Sequence, residues 1–243
     1  MNIRNNILGF YRLNPGYCPI CQKPTLFYSR RAWLRDYYLC FLCRSKPRNR
    51  ALMDVLETQF PRWRETMHIH ESSPGGASSE KISRECKHYV GTHYFPNAAC
   101  GQIHNGFRCE DLEAQTFPDQ IFDLVITQDV LEHLLHPGKA LEEIARTLKP
   151  GGAHLFTVPW YYWKKTEIRA IEKDGEIIHL APPEYHGNPI NREGSLVVRE
   201  WGFDMMDIIY RRSGLTTTII RMNAPQKGID AEFIEVFISK KSS

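Results

Sequence analysis

Four cysteines constrain this chain more than any other feature. Cys18 and Cys21 stand in CPIC, and Cys40 and Cys43 stand in CFLC, which gives the pattern C-x2-C-x18-C-x2-C. That spacing lies inside the window of a structural zinc site. Each pair makes a tight turn that aims two thiolates at one point. Four thiolates close a tetrahedral shell and leave no open position, so the zinc is expected to be structural rather than catalytic. Iron in a rubredoxin-like site is the alternative. The linker QKPTLFYSRRAWLRDYYL is rich in Tyr, Phe and Trp and is expected to fold as hairpins that bring the two pairs together. Cys86, Cys100 and Cys109 lack such spacing and read as ordinary thiols.

No apolar run approaches the ~18 residues needed to span a bilayer. The N-terminal MNIRNNILGFYRL has neither a long apolar core nor a small-residue cleavage site, so no signal peptide is expected. The expected compartment is the cytoplasm, where reducing conditions argue against two disulfides. The net charge of +3 hides an asymmetry: residues 1–64 carry 12 Lys and Arg against 3 Asp and Glu, and the remainder carries 19 against 25. A basic head on an acidic body suits a module facing an anionic partner such as RNA, a nucleotide or a phosphate, or else a solvated surface on a small Arg-rich unit.

After the cysteines, Pro47 opens a helix with Ala51, Leu52, Val55, Leu56 and Phe60 at helical spacing. It joins the cysteine module to the rest. Arg48 and Arg50 near its start are candidates to hold a phosphate or a carboxylate. From residue 66 strands and helices alternate. TMHIHE, KHYVGTHY, FDLVITQ and AHLFTVP read as strands, and SSEKISRE and GKALEEIARTLKPGG as helices, the second ended by Gly151 and Gly152. TTTIIRM and AEFIEVFIS read as a late antiparallel pair. This pattern predicts an α/β fold, a Rossmann-like, mostly parallel sheet covered on both faces. Ligands bind such sheets beyond the carboxyl ends of the strands, so Glu71, His93, Asp111 and Gln128 are expected to line one crevice. HIHESSPGG, residues 68–76, has the strand-into-turn form of a nucleotide loop, with Ser73, Gly75 and Ala77 where three glycines would stand.

The stretch FDLVITQDVLEHLLHPGKALEEIARTLKPGGAHLFTVP resembles the second half of a class I S-adenosylmethionine-dependent methyltransferase. CEDLEAQTFPDQIFD resembles the segment before it, and HIHESSPGG falls where the family's first motif belongs. The resemblance covers roughly residues 65–240 and is strongest over 107–160. It implies that Glu71 anchors the methionine end of the cofactor. It implies close backbone approach at Ser73, Gly75 and Ala77, and adenine contacts from Asp111 and the Leu112 backbone. Gln128, Asp129 and Val130 would flank the methionine and sulfonium. The family usually places an acidic residue at the end of the second strand, where it binds both ribose hydroxyls. His93 stands there instead, and an imidazole is not a bidentate acceptor. Either His93 or Tyr94 does the work differently, or the cofactor binds weakly, or the protein no longer uses it.

The expected domains are a zinc ribbon over 1–46, a connecting helix over 47–64, and a methyltransferase domain over 65–243 with a substrate-side insert around 160–202. Methyl transfer needs alignment and exclusion of water, and an oxygen acceptor often needs a base. His186, in PPEYHGNP on an expected exposed loop, is the first candidate base; Tyr185 beside it and His133, which closes DVLEH, are the others. Asp129 and Glu132 would alternatively complement a helix N-terminus. WYYW, residues 160–163, is a substrate platform or packing. The leading reading is methyl transfer to a small-molecule acceptor such as a sugar, a nucleotide-linked metabolite or a natural-product precursor. The alternatives are an RNA base methyltransferase that grips RNA with the ribbon, and a non-catalytic interaction protein. The architecture allows a homodimer; no membrane partner is expected.

Overall fold

The computed structural model describes residues 9–188, 190 and 193–243. The N-terminal reading over residues 1–8, and Pro189 at the end of PPEYHGNP, lie outside them. The cysteine module is a three-stranded antiparallel sheet, β1 (Arg12–Cys18), β2 (Lys23–Ser29) and β3 (Leu39–Cys40). Along β2 the side chains alternate, with Phe27 and Ser29 buried and Leu26 exposed, as a strand with one dry face requires. The linker makes the expected antiparallel pairings, β2 with β1 and with β3, and these bring the two cysteine pairs together. Its second half turns into the short helix α1 (Leu34–Tyr37), which seats Leu34 in the core with Phe27 and Tyr38.

Helix α2 (Pro47–Gln59) starts on a proline, and the Asn49 side-chain oxygen accepts the Lys46 backbone N–H at 3.2 Å. Those two features satisfy the first turn. One face of α2 buries Ala51, Leu52, Met53, Val55 and Leu56. Arg50, fully buried, donates to the carbonyls of Ser45, Tyr38 and Gly228 and lies 4.6 Å over the Phe27 ring. It stitches the cysteine module, α2 and the 225–228 turn together. Burial pulls its pKa down to about 10.

The main body follows as β4 (His68–Ser72), α3 (Ala77–Glu85), β5 (His88–His93), β6 (Ile103–His104), β7 (Phe107–Cys109), β8 (Phe122–Gln128), α4 (Pro137–Thr147) and β9 (Leu148–Thr157). The insert is a set of short strands: β10 (Trp160–Tyr161), β11 (Glu167–Ile168), β12 (Ala170–Lys173), β13 (Glu176–His179), β14 (Tyr185–His186), β15 (Ser195–Leu196) and β16 (Arg199–Gly202). Helix α5 (Met205–Ser213), β17 (Thr216–Ile220) and β18 (Val236–Lys240) complete the fold.

The central sheet has eight strands in the order β17-β18-β9-β8-β4-β5-β7-β6. β4, β5, β7, β8 and β9 run parallel, while β18 is antiparallel to both of its neighbours. One face packs on α2 and α3 through Ile69, Leu124, Ile126, Leu155, Val236 and Ile238. The other packs on α4 and α5 through Val125, Phe156 and Phe237. β8 supplies Leu124 and Ile126 to the first face and Val125 to the second, the period of two in atoms. The sheet is therefore the expected mostly parallel one, covered on both sides. The chain leaves β4 in one direction for β5 and β7, then returns on the other side for β8 and β9. That reversal puts the switch point between the carboxyl ends of β4 and β8.

The glycine stop expected for α4 is not there. The helix ends at Thr147, and Leu148 is already extended. Lys149 to Gly152 belong to β9, which meets β8 through a register shift between Phe122 and Leu124. The two glycines serve a strand irregularity: a Cβ at Gly152 would lie 2.9 Å from the Lys149 carbonyl oxygen.

Candidate functional site

The four cysteines converge. The Sγ atoms of Cys18 and Cys43 are 3.7 Å apart, those of Cys21 and Cys40 are 3.9 Å apart, and all four lie within 4.8 Å of one another. A tetrahedron with metal–sulfur bonds of about 2.3 Å has an edge of about 3.8 Å, so this donor set fits zinc without rearrangement. The two CxxC turns are built alike. Each is followed by a residue in the left-handed region, Gln22 (φ 54°) and Arg44 (φ 59°). Each closes with a backbone hydrogen bond, Gln22 N–H to the Cys18 carbonyl and Arg44 N–H to the Cys40 carbonyl.

At the switch point, Glu71 is fully buried on β4. Its carboxylate accepts from the Ser79 hydroxyl at 2.7 Å, the Gln128 amide at 2.8 Å and the Tyr89 hydroxyl at 2.8 Å. Burial pushes its pKa up. Gln128, at the end of β8, also accepts from the Ser78 hydroxyl at 2.8 Å and from Asn49 of α2 at 3.1 Å. One network thus ties the ends of β4 and β8 to the first turns of α2 and α3. In the loop between β4 and α3, the positive φ angles fall on Ser73 (57°) and Gly76 (80°). The expected triad was Ser73, Gly75 and Ala77; conformational freedom is needed at Gly76 instead, because it precedes the first residue of α3. Gly75 is exposed and its N–H meets the Ser79 hydroxyl at 2.9 Å, and Ala77 is already helical.

His93 ends β5 but is only 3% exposed, packed edge-on against Phe107 and beside Phe95. Burial lowers its pKa. Its neighbour Tyr94 is 49% exposed and close enough to Asp111 for that carboxylate to raise the phenol pKa, after desolvation. Asp111 itself accepts the Glu113 N–H at 2.8 Å, which closes the turn that carries it. Leu112 is buried in the α4-side core.

Asp129 follows β8 in the left-handed region (φ 54°). Two arginines hold its carboxylate: Arg35 Nη2 at 2.9 Å and Arg48 Nε at 2.8 Å, with the Thr157 hydroxyl at 3.0 Å. Burial opposes its charge, yet the two guanidiniums hold it ionised well below the usual carboxylate range. Arg48 also bridges to Asp36, so it does hold a carboxylate, in fact two. Val130 turns into the core. DVLEH does not start a long helix. Leu131–His133 make a single 3-10 turn with Glu132 in it and α4 begins at Pro137, so neither Asp129 nor Glu132 sits at the N-terminus of an α-helix.

Within that turn, Glu132 is 2% exposed, and both its carboxylate oxygens are buried without a hydrogen-bond partner among the described residues. Burial and the charge of Asp129 push its pKa up to about 8. His133 Nε2 stands 3.8 Å from it, and His186 Nδ1 stands 4.0 Å away. The two imidazoles meet edge-to-face at 5.3 Å. His186 is on β14 rather than on an open loop, and is partly covered; Tyr185 beside it is exposed. The structure therefore brings His133, His186 and Glu132 together, and Tyr185 stays outside that cluster. Of WYYW, Trp160 is buried with its indole N–H on the Gly202 carbonyl, while Tyr162 and Trp163 are exposed. They line a cavity of about 440 Å³ together with Phe233 and Arg221, beyond β9, β17 and β18.

Asn49, Tyr89, Ser78, Ser79 and Arg35 carry no sequence signal for these positions. Each acts through a partner far along the chain: Arg35 and Asp129 are 94 residues apart. Glu132 had a signal in DVLEH, but its partner His186 is assigned only by the folding of the insert.

Residues 72–156 match the family model described as a methyltransferase domain. The chain is 32% identical over 56 residues to a ubiquinone biosynthesis O-methyltransferase of Coxiella burnetii, covering 23% of this chain and 24% of that one. It is 55% identical over 40 residues to a ubiquinone/menaquinone biosynthesis C-methyltransferase of Hydrogenovibrio crunogenus, covering 16% of each. It thus spans a quarter or less of the length of these curated relatives. Among solved structures, an S-adenosylmethionine-dependent methyltransferase from Mesorhizobium loti superposes with a TM-score of 0.51 at 14% identity, over 79% of this chain and 98% of that one. The S-adenosylmethionine-bound amino pentose methyltransferase CalS10 from Micromonospora echinaspora superposes with a TM-score of 0.52 at 13% identity, over 82% and 92%. Residues 72–156 thus match the methyltransferase-domain model, and the chain shares the Rossmann-like fold of these solved methyltransferase structures.

Proposed function

We propose that this protein is an S-adenosylmethionine-dependent methyltransferase acting on a small-molecule acceptor, with its N-terminal cysteine module holding a structural zinc ion. One observation carries the reading. The matched segment begins at Ser72, the last residue of β4, and ends at Phe156 in β9, so it spans the switch-point crevice from one wall to the other. The names of CalS10 and of the ubiquinone relatives point to small-molecule acceptors. The polar, aromatic insert over 160–202 suits the same class.

The residues present fit the cofactor on its adenosine side. The 73–76 loop offers exposed backbone at Gly75 and Gly76, and Tyr94 and Asp111, which lie near each other, would take the nucleoside with the Leu112 backbone. The methionine side falls to Gln128 and Asp129, whose present partners Asn49, Arg35 and Arg48 would share or yield those contacts. When bound, the cofactor supplies an electrophilic methyl group on a sulfonium. The chain's own work is to align the acceptor and exclude water. An acceptor that must lose a proton would do so beside His133 and His186, the two imidazoles of the Glu132 cluster. Much of the basic excess of the N-terminal module is spent inside the molecule, on Asp230, Asp129 and Asp36 and on buried carbonyls, which weighs against the RNA reading.

Calorimetric titration with S-adenosylmethionine and S-adenosylhomocysteine tests the reading. Micromolar binding of either supports it and justifies a screen of acceptors. No binding at millimolar ligand overturns it in favour of an interaction protein.

A further inference from the structure

We propose that Glu132, His133 and His186 form a binding site for a divalent first-row transition-metal ion, separate from the four-cysteine cluster. The three donor atoms lie within 4.8 Å of one another. Protein–metal bonds of about 2.1 Å place ligand atoms about 3.0–3.5 Å apart. The 3.8 and 4.0 Å separations from Glu132 would contract by roughly half an ångström to an ångström. His186 belongs to a two-residue strand, which can make that movement.

Three independent observations point to a cation. Glu132 is a buried carboxylate with both oxygens orphaned among the described residues, although fully buried polar groups ordinarily have partners. A cation between it and the imidazoles would satisfy both. Next, each imidazole has one nitrogen turned away toward an acceptor and the other turned toward Glu132. His133 Nδ1 is 2.8 Å from the Leu196 carbonyl, so it carries the proton and leaves Nε2 as a lone pair facing the cluster. His186 Nε2 is 3.4 Å from the Glu184 carboxylate, which leaves Nδ1 facing Glu132. Metal-binding histidines are oriented in this way by a hydrogen bond from the opposite nitrogen. Third, the local charge admits a dication. Arg35 and Arg48 are matched by Asp129 and Asp36, and Arg169 by Glu200 and Glu184, so among the described residues Glu132 remains to meet it.

Two imidazoles and one carboxylate suit zinc, iron(II), manganese(II) or cobalt(II). Three protein ligands leave positions open, unlike the closed cysteine shell. The cluster reaches solvent at His186, which is 37% exposed, and the open positions would take water or an oxygen donor of the acceptor. The acceptor part of this inference rests on the methyltransferase reading; the metal site does not.

The test uses the full-length zinc-loaded protein titrated with Mn2+, a hard ion that avoids thiolates. Free Mn2+ is followed by electron paramagnetic resonance. We expect one equivalent to bind, and Glu132→Gln and His186→Asn each to weaken it at least tenfold. His136→Ala, which removes a histidine paired with Glu172 on the surface, should leave it unchanged. His186→Asn alters a partly exposed side chain, and retained zinc and cooperative unfolding verify that each variant is folded. Absence of Mn2+ binding at millimolar metal, or wild-type affinity in both cluster variants, overturns the proposal. S-adenosylmethionine binding is measured on the same protein without Mn2+. Its failure beside intact Mn2+ binding removes the acceptor assignment and leaves the metal site standing.

Discussion

Among the described residues two clusters gather donors that could hold a metal, and they are built in opposite ways. The four thiols come from one segment, residues 18–43, and local backbone sets their geometry. Two CxxC turns, each closed by a left-handed residue, aim the sulfurs inward with little help from the rest of the fold. Glu132, His133 and His186 come from a single 3-10 turn and a two-residue strand more than fifty residues later. Their approach depends on the insert docking through Val198 N–H on the Glu132 carbonyl and Leu196 carbonyl on His133. The first cluster is closed and suits structure. The second is open on one side and suits chemistry.

The largest way to break this comparison is Cys40→Ser. If the thiols hold zinc, the metal is lost and stability falls by on the order of 5 kcal/mol or more, because metal binding and ribbon folding are one event. Zinc content and the urea midpoint measure it. A metal-free wild type, with the variant as stable, would sink the zinc assignment.

The next expectation contrasts the open cluster's histidines with two that are sealed. His70 and His154 are fully buried in the central sheet, each with one hydroxyl partner, Thr92 and Thr127 respectively. Burial pulls both pKa values down to about 3, with a further push from Arg108 on His70 and from His70 on His154. Their folded pKa lies below the unfolded value of about 6.5. Below that pH the unfolded chain binds protons that the native one refuses. The stability is present above pH 6.5 and is lost as pH falls toward 3, at about 2 kcal/mol per histidine between pH 6.5 and 5. Urea denaturation at pH 7 and pH 5 reads this directly, and a flat profile would show that the two rings are not sealed.

Arg48→Ala tests the link between the regions, since Arg48 joins Asp36 of the cysteine module to Asp129 at the crevice. Leaving a buried carboxylate with half its pairing should cost about 3 kcal/mol. A loss under about 1 kcal/mol would mean that Arg35 alone holds Asp129. The smallest expected effect is Asp111→Ala. It should weaken S-adenosylmethionine binding by about 1–3 kcal/mol, the cost of leaving a buried donor unpaired. Unchanged affinity by calorimetry would remove Asp111 from the adenine site.

Legibility followed sequence distance. FDLVITQ was readable as a strand because its β-branched run is bounded by turn residues, and it is β8 residue for residue. The antiparallel pair at the end of the chain was readable for the same reason. KPGG misled: a glycine pair after an amphipathic helix usually ends it, but here pairing with β8 extended the strand back to Leu148. Phe107 and Phe95 around His93 could not be read, because they close on it from a different strand and from the loop after β5.

The sequence alone determined the sheet, through its hydrophobic periods, and the cysteine cluster, through a spacing that only local turns need satisfy. Each reading used only a short stretch of chain, one strand's alternation or one turn's spacing, where backbone geometry leaves few choices, although the pairing of β4 with β8 and of β9 with β18 joins distant segments. The tertiary structure decided what the polar residues at the crevice do. Asp129 meets Arg35 and Arg48, Gln128 meets Asn49, and Glu132 faces His133 and His186, because the cysteine module and the insert both meet the sheet at the carboxyl end of β8. A buried charge takes whichever partner the packing brings to it, and that choice is not local.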